Sequence, residues 1–485
     1  MQRLFFSAVR HVHFVGIGGI GMSGLAEILL QQGFRVSGSD LVASENTEYL
    51  ERKGARIFYG HDAAHIEGAD VVVYSSAVNP AENPETRAAQ ERGIPVLRRA
   101  EMLAEIARLK YCLAIAGTHG KTTTTSLCGL MLIRAGMDPT VIVGGRLRGL
   151  GGSNARLGQG EWIVVEADEY DRSFLCLLPT IAVITNVEEE HLDIYADRQQ
   201  VLDAFVHFAN NVPFYGMVAL CIDDPGVKEV LPRLSRKVRT YGLSPQSDVR
   251  ARRIRLHERS SQFEVYADGE LLGELRLSVP GMHNVRNALA AVLVGMQLQI
   301  PFDTIRAALE EFTGVYRRFE IVGERDGVLF VDDYAHHPTE VRATLQAARQ
   351  GWDRRIVCVF QPHTYTRTRD FADEFGKAFD EADVLIVTDV YPAREQPIPG
   401  VDGELIARAA RRSGHRQVYY APTLEQVAEL LPTLLRPGDM LLTLGAGNVG
   451  NCMPSWACGS SCMEVHPLSV QVYFAMKSFR NFVPG

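Results

Sequence analysis

Short apolar runs ending in glycine or acidic clusters, each followed by residues at helical spacing, recur along the chain. Residues 11–15 read as a buried strand, Gly16, Gly18 and Gly21 follow, and a helical pattern continues through Leu30. A second strand at 34–38 ends at Ser39 and Asp40, and runs at 71–74 and 94–97 alternate with helical stretches. Residues 112–116 form the next strand, a glycine loop breaks it, and a helix spans 122–135. Strands at 162–165 and 181–185 end in acids and in Asn186 respectively, residues 250–277 give two or three alternating strands turning at Asp268-Gly269, and an alanine-rich helix covers 288–298. Strands at 328–331, 356–360, 384–388 and 440–444, with a helix from Thr339, make a last unit. Alternation of this kind predicts the α/β class, in three α/β domains: 1–109, 110–316 and 317–450. The first and third read as Rossmann-like, and 451–485 reads as an atypical, disordered or altered tail.

Length agrees, since 485 residues correspond to about three domains. With 46% apolar and 22% charged residues the composition is that of a folded globular protein. A net charge of −8 and the lack of a basic block argue against nucleic acid as a partner. No apolar run approaches the ~18 residues of a membrane span, and residues 1–10 lack a secretory pattern. The expected location is the cytoplasm. Cys112, Cys128, Cys176, Cys221 and Cys358 mostly sit in apolar runs, as reduced core thiols do, and Cys452, Cys458 and Cys462 lack a usual zinc spacing.

Three clusters at strand ends carry the chemistry. Gly117, Thr118, His119, Gly120, Lys121, Thr122 and Thr123 join a strand to a helix, the geometry in which backbone N–H groups and a helix N-terminus face phosphate and a lysine adds charge. Ile115 occupies the first glycine position of the usual phosphate-loop pattern. The acids at 166–169 and His191 also follow strands, so Thr122, Glu166 and His191 can complete Mg²⁺ coordination around ATP. The loop at Gly16, Gly18, Gly19 and Gly21, with Asp40 as a ribose-binding acid, fits either a dinucleotide cofactor or a nucleotide-diphosphate substrate. Asn284 and Asn287 read equally as helix caps or nucleotide contacts. Asp332, Tyr334, His336, His363 and Arg367 form two further polar clusters at strand ends.

As a set, the loop 117–123, Glu166-Ala167-Asp168-Glu169, Thr185-Asn186, His191, His283-Asn284 with Asn287, and Asp332-Asp333-Tyr334 resemble the Mur ligases, ATP-dependent amide-bond-forming enzymes of bacterial peptidoglycan synthesis. Residues 15–24, 333–340 and 360–363 look most like the member that joins L-alanine to UDP-N-acetylmuramate, and the resemblance runs from His11 to about Gly450. It implies a UDP-binding first domain, with Gly16, Gly18, Gly19 and Gly21 at the diphosphate and Ser39, Asp40 and Ser76 nearby. The middle domain becomes a P-loop ATPase-like unit: Lys121 on the β- and γ-phosphates, and Mg²⁺ (or Mn²⁺) on Thr122, Glu166 and His191. Asn284, Asn287, Arg318 and Asp332 contact the nucleotide, and Tyr334, His336 and Arg367 lie near alanine, with His336 as a proton acceptor. The implied catalytic set is Lys121, Glu166, His191 and His336, and the implied partners are small-molecule substrates, with monomer and dimer both open.

Two departures stand out. Thr364 occupies a position where many relatives carry arginine, which leaves alanine-carboxylate binding to Arg367. No lysine lies between Lys121 and Lys228, so the modified lysine that several sister ligases carry shortly after the His191 position is not expected. The rival readings are a sister ligase that attaches a tripeptide to the same sugar nucleotide, an NAD(P)-dependent oxidoreductase built on the first domain, and a non-catalytic nucleotide-binding module.

Overall fold

The computed structural model describes residues 9–145, 154–189, 194–393 and 395–453. His191 and residues 454–485, which hold Cys458, Cys462 and most of the expected tail, lie outside the described residues. The described chain forms two compact units, one comprising residues up to Ile254 with Gln262–Leu277 and Asn284–Val315, the other comprising Arg255–Ser261, Ser278–His283 and residues from Tyr316 onward.

In the first unit, β1 (His11–Val15), α1 (Ile20–Gln31), β2 (Arg35–Asp40), α2 (Glu45–Arg52), β3 (Arg56–Tyr59), β4 (Val71–Tyr74), α3 (Pro84–Glu91), β5 (Val96–Arg98) and α4 (Arg99–Ala107) follow in order. Their strands pair in parallel in the order β3-β2-β1-β4-β5. Both faces are covered, so the strands read as continuous apolar runs. Val12, Phe14 and Val73 face Met22, Leu25 and Ile28 of α1, while Val15 and Val72 face Ala88 and Ala89 of α3. Strand order reverses between β1 and β4, and a crevice at such a reversal is where ligands settle in open α/β sheets.

The larger sheet of this unit is built from β6 (Tyr111–Ala116), β7 (Thr140–Ile142), β8 (Ala155–Arg156), β9 (Trp162–Glu166), β10 (Ile181–Ile184), β11 (Met217–Cys221), β12 (Val238–Gly242), β13 (Val249–His257), β14 (Ser260–Ala267) and β15 (Glu270–Leu277). Its order is β15-β14-β13-β12-β11-β10-β6-β9-β7-β8. Helices α5 (Lys121–Arg134), α6 (Arg198–Asn210), α7 (Pro225–Val230), α8 (Met282–Gln297) and α9 (Phe302–Glu310) accompany it. The reversal falls between β6 and β10, so the loop after β6 lies beside the exit of β10. Helix α8 begins at Met282, six residues before the alanine-rich stretch suggests, which puts Asn284 and Asn287 inside its first two turns instead of capping it.

In the second unit, β16 (Glu320–Arg325), β17 (Val328–Asp333), α10 (Pro338–Gly351), β18 (Arg355–Phe360), α11 (Tyr365–Asp370), α12 (Ala372–Gly376), β19 (Val384–Val387), α13 (Gly403–Arg412), β20 (Val418–Tyr420), α14 (Leu424–Leu434) and β21 (Asp439–Leu444) form a sheet ordered β16-β17-β21-β18-β19-β20. Only β16 runs antiparallel among its described pairings. Leu329 and Val331 pack on one face with Val341 and Leu345, and Val328 and Phe330 on the other with Val427 and Leu431. The strand at 328–331 extends two residues further than expected, through Asp332 and Asp333, because hydrogen bonds to neighbouring groups satisfy both buried carboxylates. Cys452 and Met453, assigned from sequence to the tail, are buried against Val328 and Phe330 and belong to the core. The described cysteines Cys112, Cys128, Cys176, Cys221, Cys358 and Cys452 are all free thiols.

Candidate functional site

The first glycine loop is held by the strand beside it. Gly16 has φ +80°, which only glycine adopts without strain, and its N–H and that of Ile17 both donate to the Ser39 carbonyl, at 2.8 and 3.0 Å. Gly18 N–H donates to Asp40 Oδ2 at 2.8 Å, and Asn46 Nδ2 donates to the Gly18 carbonyl. The loop opens onto α1, whose N-cap is Gly19 and whose first turn has no acidic residue. A Cβ on Gly21 would lie 3.0 Å from Arg99 Nη1, so a guanidinium stands beside this helix start. Together these features make an anion-binding end. Ser76 is exposed just beyond β4. Ser39 departs from expectation: it is fully buried and its hydroxyl donates to Glu85 Oε2 at 2.6 Å, so it serves the loop through its carbonyl and not its side chain.

Under that loop lies a buried polar network that the sequence did not announce. The Glu85 carboxylate meets His65 Nδ1 at 2.8 Å, His13 Nε2 at 3.5 Å and His61 Nδ1 at 3.6 Å, while Ser37 Oγ links His13 to His11. Burial would raise the Glu85 pKa, but the close His13 ring and the hydrogen bonds with Ser39 and His65 outweigh it and hold it at about 2.

The second loop is gripped from β10. Gly117 (φ +136°) and Gly120 (φ +81°) both need backbone conformations that disfavour a side chain, and a Cβ on Gly117 would overlap Thr185 Oγ1. Thr185 Oγ1 donates to the His119 carbonyl at 2.6 Å, and Asn186 clasps His119 through Oδ1 (2.7 Å to N) and Nδ2 (3.0 Å to O). Helix α5 starts at Lys121 with Gly120 as its N-cap. Lys121 Nζ donates to the carbonyls of Gly117 and Thr118 at 2.7 and 3.1 Å and to both oxygens of Glu169 at 3.0 and 2.7 Å. Burial alone would lower the lysine pKa, yet Glu169, Asp168 and Glu166 overturn that and raise it, so the ammonium stays charged.

Thr122 Oγ1 donates to Glu166 Oε1 at 3.1 Å, and Gly144 N–H fixes Oε2 at 2.7 Å. A hydroxyl and a carboxylate side by side are hard oxygen donors that fit Mg²⁺ or Mn²⁺. Thr118 and Thr123 are buried within the loop and α5, and a Cβ on Gly120 would lie 2.8 Å from Asn287 Oδ1, so α8 overhangs the loop at this residue. Asn287 Nδ2 also donates to Asn284 Oδ1 at 3.2 Å.

In the second unit the carboxyl ends of β17, β21 and β18 lie side by side. Asp332 accepts from Arg317 Nε (3.1 Å) and Thr443 Oγ1 (2.5 Å), while burial raises its pKa. Asp332 therefore sits inside an intramolecular network with Arg317 and Thr443, neither of which the sequence singled out. The guanidinium carbons of Arg317 and Arg318 lie 5.2 and 5.3 Å from the Tyr334 ring centroid, and Arg318 also pairs with Glu340 at 3.4 Å. His336 Nδ1 lies 3.0 Å from the Tyr334 carbonyl and 3.1 Å from Glu340 Oε2, two acceptors that fix the ring through a proton on Nδ1. The His336 and His363 rings are 5.6 Å apart, and Arg367 donates to His363 Nδ1 at 3.3 Å. Burial, with the charges of His336 and Arg367, lowers the His363 pKa to about 3 and keeps that ring neutral. Thr364 caps α11 at φ +68°, a strained value for a β-branched residue.

Residues 11–111 match the model of the Mur ligase family catalytic domain, 115–295 that of the Mur ligase middle domain, and 317–447 that of the Mur ligase glutamate ligase domain. A curated UDP-N-acetylmuramate–L-alanine ligase of Geobacter sp. (strain M21) is 54% identical over 445 residues, 92% of this chain and 96% of that one. The chain belongs to the Mur ligase family. A second relative of the same name, from Salinibacter ruber (strain DSM 13855 / M31), is 54% identical over 442 residues, covering 91% and 93% of the two chains. Among solved structures, the UDP-N-acetylmuramate-alanine ligase MurC of Thermotoga maritima superposes with a TM-score of 0.78 at 28% identity, covering 97% of this chain and 99% of that one. The Mur ligase fold of three α/β domains thus accounts for the three sheets. No helix among the described residues is long and apolar enough to cross a membrane.

Within this Mur ligase the structure brings Lys121, Thr122, Glu166 and Asn287 together, and adds Glu169, which sequence reasoning placed only in an acidic cluster. The signal for Glu169 was its position three residues beyond Glu166, where a short 3₁₀ turn (Tyr170–Cys176) directs it back at the lysine.

Proposed function

We propose that this chain is an ATP-dependent ligase that joins L-alanine to the carboxylate of UDP-N-acetylmuramate in the cytoplasm, during peptidoglycan precursor synthesis. The observation that carries the reading is the loop ending in Lys121, with the Thr122 hydroxyl and Glu166 carboxylate paired beside it at a reversal of strand order. Names of the relatives that match over nearly the whole chain support the choice of substrates. Residues 1–109 take the UDP moiety on the Gly16–Gly21 loop and the α1 end, 110–316 take ATP, and the segment from 317 takes the amino acid.

The muramate carboxylate is ionised at neutral pH and needs no base. Its oxygen attacks the γ-phosphorus, the bond to the β,γ-bridging oxygen breaks, and ADP leaves. Lys121, charged and fixed by two loop carbonyls, offsets the repulsion between the two anions. Thr122, Glu166 and His191 would hold Mg²⁺ or Mn²⁺, which supplies further charge neutralisation at the phosphates when bound. The alanine nitrogen then attacks the acyl phosphate, the C–O bond to phosphate breaks, inorganic phosphate leaves, and the amine proton passes to Nε2 of His336. Neutral His363 and cationic Arg367 stand beside that ring, the latter for the alanine carboxylate.

ADP release measured with UDP-N-acetylmuramate and either L-alanine or a tripeptide tests the reading. Turnover with L-alanine is expected, and turnover only with the tripeptide would overturn the substrate assignment. Lys121→Ala should abolish ADP formation; activity that survives it would remove the loop from catalysis.

A further inference from the structure

Strand β11 ends at Cys221, and the chain turns through Asp223 and Asp224 into α7, which opens with Pro225 and Gly226. Asp224 Oδ1 accepts from Val227 N–H at 2.8 Å, the ordinary N-cap bond of α7. The same oxygen also accepts from Val187 N–H at 3.1 Å, beyond the end of β10. The two segments touch closely, since a Cβ on Gly226 would overlap the Val187 carbonyl. Val187 sits between the two residues that grip the phosphate loop. On one side Asn186 holds His119 by both amide atoms, and its carbonyl accepts from Thr118 N–H at 3.3 Å. On the other, Glu188 N–H donates to Thr118 Oγ1 at 2.9 Å, and its carboxylate lies 3.4 Å from His119 Nε2. The neighbouring Asp223 faces elsewhere, accepting from Arg286 Nε, Leu243 N–H and Ser244 N–H.

We infer that Asp224 is a positioning residue for nucleotide binding: by holding Val187 N–H it sets the register of Asn186 and Glu188 against Thr118 and His119, and so fixes the loop that ends in Lys121. The inference rests on the ATP-binding role proposed for that loop. A helix cap alone does not require the second bond. A side chain that caps α7 but cannot also reach Val187 therefore separates the two duties.

Asp224→Ser keeps a hydroxyl N-cap with a shorter reach, and Asp224→Asn keeps the Oδ1 acceptor for both bonds. For Asp224→Ser the KM for ATP should rise about tenfold, as when the support of a binding group is loosened. Its KM for UDP-N-acetylmuramate and its thermal midpoint should stay near wild type. Asp224→Asn should restore the KM for ATP to within about twofold of wild type, the ordinary tolerance when the hydrogen-bond acceptor is retained. A wild-type KM for ATP in Asp224→Ser, or equal impairment in both variants, would overturn the inference. A lowered midpoint with unchanged KM would do so too, because Asp224 would then be a helix cap and nothing more. Lys121→Ala is assayed in parallel: ADP formation that survives it refutes the ATP-loop reading itself, whereas its loss beside a wild-type Asp224→Ser refutes only the positioning role.

Discussion

Replacing Gly117 with alanine tests the phosphate loop at its least tolerant point. Two costs add. At φ +136° an alanine occupies a sparsely populated backbone region, at about 2 kcal/mol. The new methyl overlaps Thr185 Oγ1, and moving that hydroxyl gives up its bonds to the His119 carbonyl (2.6 Å) and the Ala116 carbonyl (3.3 Å), about 1 kcal/mol more. The sum of about 3 kcal/mol appears either as lost stability or, if the loop shifts to relieve the clash, as weaker ATP binding. Denaturant unfolding and the KM for ATP, measured on the same preparation, separate the two routes. Thr185→Ala in the same chain removes the overlap but not the backbone strain, so the double variant should recover part of the loss. A Gly117→Ala enzyme with wild-type stability and wild-type KM would refute the account of the loop.

Two further outcomes follow from buried charge. Glu169→Gln leaves Lys121 without its carboxylate partner in a nearly closed site, so stability should fall by about 3 kcal/mol, read as a shift in the urea midpoint; an unchanged midpoint would mean that the pair is solvated. Glu85 has a folded-state pKa of about 2 against an ordinary 4.5, so its contribution is fully present above pH 4.5 and is lost as pH falls toward 2. Wild-type stability should therefore drop more steeply over that range than that of Glu85→Gln, and parallel acid limbs would contradict the network.

Strands ending in glycines or acids were legible because burial on both faces forces long apolar runs, and their chemistry sits at the ends. β3, β7, β8, β11, β12, β16 and β20 were not read. Two or three residues carry no period in β7, β8 and β20, and β16 is only partly buried. Lys121, Thr122 and Glu166 could be singled out because loop, helix start and strand end each carry a local pattern. Of their supports, Thr185 and Asn186 entered only through the family resemblance and Asp224 not at all, because these residues reach the loop through the placing of β10 beside β6 and β11, which no local stretch encodes. Ser39 misled for the same reason: its serine lies where a ligand contact is expected, but Glu85, forty-six residues away, claims the hydroxyl.

The ordering of the sheets also decides which backbone edges stand open. A parallel sheet leaves open backbone groups along its outer strands, a template on which another chain can pair. Here β8 has two residues, β3 four, and β5 and β20 three, too few for a stable foreign ladder. β15, with eight residues, is the longest rim, and Gly273 in it lets Phe302 of α9 close against the strand. A side chain at Gly273 would press on that ring, so the close packing of α9 on the longest outer strand depends on this glycine.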